Sequence, residues 1–133
     1  MIVAAIAREP STDKAQAWLA THTHSGLLIS DWVVTEVSSA LSIKLRTGAI
    51  DLPARAAALA AFREMASDSL VILPVSAQHF RAAARFADRH DLRLRGGDAL
   101  HLAIAADHGA TLVTLDRKLH DAALELGVAV ESP

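Results

Sequence analysis

Short aliphatic runs alternate with longer stretches of helical period along this chain, and no other sequence feature limits its possible folds as strongly. Residues 27–30, 111–115 and 128–130 read as strands, and residues 70–75 form an apolar run without polar alternation. Such a run predicts a parallel strand covered on both faces by helices. Helices are expected over 1–7 and again after the break at Pro10, Ser11 and Thr12, where Ala15, Trp18 and Leu19 keep helical spacing. A longer helix is expected over about 32–47, capped by Ser30 or Asp31 and stopped by Gly48. Pro53 starts another that runs to about residue 66, and three more follow over about 77–90, 98–108 and 117–126, the last two closed by Gly109 and Gly127. The expectation is an α/β fold of four strands and six or seven helices.

A chain of 133 residues, with no linker, repeat or low-complexity tract, is read as a single domain over 1–133. Its hydrophobic fraction of 52% excludes intrinsic disorder, and because 28 of those residues are alanine, the larger aliphatics must build the core. The absence of cysteine excludes a disulfide scaffold, thiolate zinc, an iron–sulfur cluster and a cysteine nucleophile. The longest apolar run, residues 1–7, is far below the roughly 18 residues that cross a bilayer and lacks the basic flank of a signal peptide, so a cytoplasmic location is expected. A net charge of −2 gives the whole molecule no attraction for nucleic acid, so any such contact must be local.

In open parallel α/β sheets ligands collect at the carboxyl ends of the strands. Three acids fall there. Asp116 ends the third strand, Glu36 lies in the first turns of the helix after the first strand, and Asp98 follows Gly96 and Gly97 at a helix start. Carboxylates converging on one crevice repel, and a hard divalent cation is the usual reason for such a cluster to persist, Mg²⁺ or Mn²⁺ suiting an all-oxygen site. Such a cation would polarise a phosphate and acidify bound water, which is the chemistry of phosphodiester hydrolysis. The bland alternatives are that Asp98 complements the helix dipole, Asp116 caps the next helix and Glu36 is surface charge.

The run Gly97-Asp98-Ala99-Leu100-His101-Leu102-Ala103, then Gly109-Ala110, then Thr114-Leu115-Asp116, resembles the C-terminal motif of the PIN-domain nucleases, and most closely that of the VapC toxins of bacterial toxin–antitoxin pairs. Thr35-Glu36-Val37 followed by Ala40-Leu41 is similar to the internal glutamate motif of the same family, and the order of elements over 11–130 also matches. The resemblance implies a three-layer α/β/α sandwich and a Mg²⁺- or Mn²⁺-dependent endoribonuclease that forms a homodimer and is inhibited by a VapB-type antitoxin. By position, Glu36, Asp98 and Asp116 resemble three of the acids of the family's metal site. The family normally opens with a central strand ending in Asp, and here residues 1–7 match the helix that follows that strand. The expectation is a start assigned too far downstream; taken literally, such a chain would bind metal weakly and cut RNA poorly. The alternative function is a catalytically impaired PIN fold that only binds an antitoxin or RNA. An unrelated phosphohydrolase is disfavoured by the lack of a Gly-rich phosphate loop.

Half of the ten arginines, Arg81, Arg85, Arg89, Arg93 and Arg95, fall within 15 positions. The first three recur at one helix face, where Asp88 and Asp91 make a solvated face with ion pairs an equal reading. Arg93 and Arg95, beside Gly96 and Asp98, are the stronger candidates for holding RNA phosphates. His101, one turn past Asp98, is read as a packed helix histidine, His22 and His24 as loop residues, and Trp18 and Trp32 as core or dimer packing.

Overall fold

The computed structural model describes residues 1–22 and 26–133. Its contacts divide the chain into two compact units, Met1–Pro74 and Val75–Pro133.

The first unit begins with the helix pair α1, Ile2–Ile6, and α2, Thr12–His22. A five-residue helix leaves most of its carbonyls without intrahelical partners, and α2 supplies them. Thr12 Oγ1 accepts the Glu9 N–H and turns its own proton toward the carbonyls of Ala4 and Ala7 at 2.8 and 3.0 Å, while Gln16 Nε2 donates to Ala5 O at 2.8 Å. Strand β1, Leu27–Ser30, then leads directly into α3, Asp31–Arg46. Ser30 occupies the N-cap position without capping, because its Oγ is buried and makes no hydrogen bond. The helix is held instead by its inward stripe, with Val37 and Leu41 buried. Helix α4, Leu52–Asp68, has Pro53 in its first turn and is capped by Asp51, which accepts from Ala54 N at 2.8 Å. It returns the chain to β2, Leu70–Leu73, which pairs in parallel with β1 in the register Leu27↔Leu70 to Ser30↔Leu73. Ile29, Val37, Leu41, Ala58 and Phe62 form the core of this unit.

The expected double burial of residues 70–75 does not occur. The strand is shorter, and its middle residues Val71 and Ile72 are 53% and 43% exposed. Successive strand residues point to opposite faces, so neither face is covered at the strand centre. An apolar run records β-propensity; coverage depends on neighbours on both sides, and among the described residues β2 pairs only with β1.

The second unit contains α5, Ala77–Ala87, a 3-10 turn at His90–Leu92, α6, Gly96–His108, the short strand β3, Leu112–Val113, α7, Arg117–Glu125, and β4, Val130–Glu131. Strands β3 and β4 are also parallel, in the register Leu112↔Val130 and Val113↔Glu131. Helix α6 buries Ala99, Leu100 and Leu102 through Ala105, an apolar surface too wide for one stripe, as expected of a helix enclosed by its neighbours. Leu102, Ala105, Leu119, Ala122, Ala123 and Val128 form the core. The last strand begins later than residue 128 because Val128 N is already bonded to Ala123 O at 2.9 Å, closing α7 after Gly127, whose φ is +69°. The strand expected over 111–115 is cut short by a turn in which Thr114 Oγ1 accepts the Asp116 N–H at 3.0 Å. The fold is therefore mixed α/β with parallel strand pairs, as expected. No helix of the described residues is long and apolar enough to cross a membrane.

Candidate active site

The N-terminus of α6 positions Asp98. The Gly96-Gly97 pair opens the helix, and Asp98, at its third position, turns Oδ2 back to accept the Arg95 N–H at 3.1 Å. This is the return half of a capping box. Asp98 is half-buried. Asp116 stands at the N-cap of α7, beyond the carboxyl end of β3, where Oδ1 accepts from Lys118 N at 2.8 Å and Leu119 N at 3.4 Å. It is exposed. The cap weighed from the sequence for Asp116 is thus realised, and Asp98, weighed as a complement to the helix dipole, also takes a backbone N–H at the helix start; each uses a single carboxylate oxygen. Among the described residues, Asp98 Oδ1 and Asp116 Oδ2 have no hydrogen-bond or ion-pair partner. Two hard, anionic oxygens at helix starts are suitable donors for Mg²⁺ or Mn²⁺.

Glu36 lies half-buried on α3, in the second turn past the carboxyl end of β1. Burial pushes the Met1 α-amino group below its usual range, opposed by the charges of Glu9 and then Glu36. The charge of Glu36 is thus felt at the start of α1. It belongs to the first unit, and Asp98 and Asp116 to the second.

Among the described residues, a single trio of potential ligands has its donor atoms within 4.8 Å of one another: His79, Asp107 and His108. The sequence reading missed it. His79 is buried on α5, and its Nδ1 accepts the Ser76 N–H at 3.1 Å while Ser76 Oγ accepts the His79 N–H at 3.3 Å. With its Nδ1 lone pair engaged, the neutral ring carries its proton on Nε2 and donates it to Asp107 Oδ2, 3.0 Å away. A metal on Nε2 would need that lone pair as well, leaving an imidazole with no proton. The trio is therefore a structural latch joining the N-cap of α5 to the end of α6, and it does not suit a cation. The signal in the sequence was Ser76-x-x-His79, a capping box with His where Glu or Gln is usual. His79→Ala removes both ring contacts and leaves a cavity, and should destabilise the chain by about 2–4 kcal/mol in urea titrations.

The arginines divide into paired and unpaired groups. Arg89 holds Asp91 through two nitrogens, at 2.6 and 2.9 Å, and this hydrogen-bonded guanidinium pulls the Asp91 carboxyl down to about 2. Arg81, Arg85, Arg93 and Arg95 are exposed and form no salt bridge among the described residues. Arg93 alone among the described non-glycine residues has positive φ, +53°, so the backbone folds sharply before α6 and places Arg93 and Arg95 beside the helix start that carries Asp98. His101 is half-buried on α6. His22 is the last residue of α2, stacked on Trp18 at 4.0 Å and bonded to Trp18 O, so the loop expected there begins later. His24 lies outside the described residues. Trp32 is half-buried in α3, its indole nitrogen enclosed without a partner, which fits packing better than stacking on a base.

Comparison with known proteins bears on the same residues. None of the curated proteins compared with the chain matches it. The family model of the PIN domain matches residues 1–125, a span that includes Glu36, Asp98 and Asp116. PIN domains are generally nucleases, typically dependent on the divalent metal ions they bind. With nearly the whole sequence matched and a mixed α/β fold of parallel strand pairs beneath it, the chain belongs to the PIN domain family.

Proposed function

We propose that this chain is a Mg²⁺- or Mn²⁺-dependent endoribonuclease of the VapC type, the toxin of a toxin–antitoxin pair, formed by one domain over 1–133. The observation that carries the reading is the combination of the PIN family match with Asp98 and Asp116, both at helix starts and each with one carboxylate oxygen uncommitted. In this reading Glu36, Asp98 and Asp116 hold the cation, which when bound polarises the scissile phosphate and lowers the pKa of a bound water. Asp98 and Asp116 serve two purposes: one oxygen fixes the local backbone and the other faces the cation, so the helix starts preorganise the donors. Arg93 and Arg95 hold the RNA phosphates on either side. A second copy of the chain forms a homodimer with it, and a VapB-type antitoxin inhibits it in the cytoplasm.

The metal reading makes a direct thermodynamic prediction. A ligand that binds only the folded state raises stability by mass action. At about 100 times its dissociation constant, Mg²⁺ or Mn²⁺ should add about 2.7 kcal/mol. Thermal melts with each ion and with EDTA, run beside RNA cleavage under the same conditions, provide the test. Melts that ignore both ions, together with cleavage that survives EDTA, would remove the metal from the proposal.

A further inference from the structure

Helix α5 carries a group of side chains that neither the core nor the candidate metal ligands use. Phe80 is 54% exposed, and Arg81 and Arg85 follow it on the outward side of the helix. At 100° per residue, Phe80, Arg81, Ala84 and Arg85, with Asp88 following at the C-cap, cover one sector of α5, opposite the sector in which His79 and Ala83 are buried. The Arg85 side chain lies back along the helix, Nη1 donating to Arg81 O at 3.3 Å, which leaves most of its guanidinium donors available. The next arginine in the chain, Arg89, lies beyond the end of α5 and is paired with Asp91.

An exposed aromatic ring costs solvation and gains nothing from the core. Beside two unpaired guanidinium groups, it has the composition of a single-stranded nucleic-acid platform, in which bases stack on aromatic faces and cations follow the backbone. Arg81 and Arg85 stand about 6 Å apart along the helix axis, on the order of one nucleotide step of an extended strand. An acidic peptide would satisfy the arginines but has no use for a flat ring beside them.

We infer that the outward face of α5 binds single-stranded RNA, with one base stacked on Phe80, its flanking phosphates held by Arg81 and Arg85, and the strip ended by the Arg89–Asp91 pair. The inference rests on the nuclease reading and extends it: substrate is gripped at a place separate from the acids, and Asp91 limits how many phosphates are held. Removing Asp91 therefore strengthens binding.

Fluorescence anisotropy of a short unstructured oligoribonucleotide, with the full chain in EDTA so that nothing is cut, tests this. Phe80→Leu keeps an exposed apolar side chain but loses the ring; it should weaken binding about tenfold and leave the salt dependence unchanged. Arg81→Ala and Arg85→Ala should each weaken binding and lower the slope of log K against log salt by about 0.7, while Asp91→Asn should tighten binding and raise that slope by about the same amount. All four positions are exposed, so melting curves should match the wild type. Phe80→Leu binding within about twofold of wild type, or salt slopes that do not move, would overturn the inference. Cleavage in Mg²⁺ separates the two levels: wild type that cuts RNA while these variants bind normally defeats the α5 platform alone, whereas wild type that neither binds nor cuts RNA defeats the nuclease reading and the platform with it. Loss of binding to an acidic protein partner in these variants, with RNA binding intact, also overturns it.

Discussion

RNA cleavage by the full-length protein should fall by about 10²–10³-fold or more when either Asp98 or Asp116 is changed to Asn, with the fold intact. Geometry separates the two effects. Asn is as good an N-cap as Asp, so at position 116 its side-chain oxygen can still take the Lys118 and Leu119 N–H groups, and at position 98 that of Arg95. Only the charge and the second anionic oxygen are lost. The remaining cost is the interaction of a carboxylate with the helix dipole, about 0.3–1 kcal/mol. Asp116→Ala supplies the contrast: it removes the cap as well and should cost about 1 kcal/mol more in a urea titration than Asp116→Asn. Metal-dependent cleavage retained in both Asn variants, with unchanged melting curves, would leave these residues as helix caps only.

Leu102→Ala should produce the largest loss of stability, about 2–5 kcal/mol, seen as a lower urea midpoint at unchanged slope. Leu102 is wholly buried and packs with Leu119, Ala122, Ala123 and Val128, three of them from α7. Two of these neighbours are alanines, with no side-chain torsion to rotate into the void, so the cavity cannot be refilled cheaply. Leu124→Ala, adjacent to Ala123 of this cluster on α7 but 61% exposed, should change stability by less than about 0.5 kcal/mol. Equal effects at the two positions would mean that the core is not centred where α6 meets α7.

The periodic segments were legible without any structure. Helix α3 was expected near 32–47 and runs Asp31–Arg46; α7 was expected over 117–126 and runs Arg117–Glu125. Glycine punctuation worked for a physical reason: Gly48, Gly109 and Gly127 all have positive φ, a conformation that other residues avoid. Strand ends were less legible. The runs at 70–75 and 111–115 have suitable composition throughout, but strand length depends on which partner offers hydrogen bonds and where a turn such as that at Thr114 intervenes.

The sequence by itself determined the α/β class, the order of the elements, the helix-start positions of Asp98 and Asp116, and enough of the motif pattern to suggest the PIN family. All of these depend on local propensity, periodicity and short spacings. Only the tertiary structure decided that one oxygen of each of these acids is occupied by a backbone N–H while the other is open, because a bond is a matter of distance and direction. It also decided that α5 ends at Ala87, so that Arg89 lies beyond the helix and is spent on Asp91 while Arg81 and Arg85 are not, although all three share the same four-residue spacing in the sequence. The His79–Asp107 latch belongs to the same class: its two side chains are 28 residues apart, and only the packing of α5 against α6 brings them within 3.0 Å.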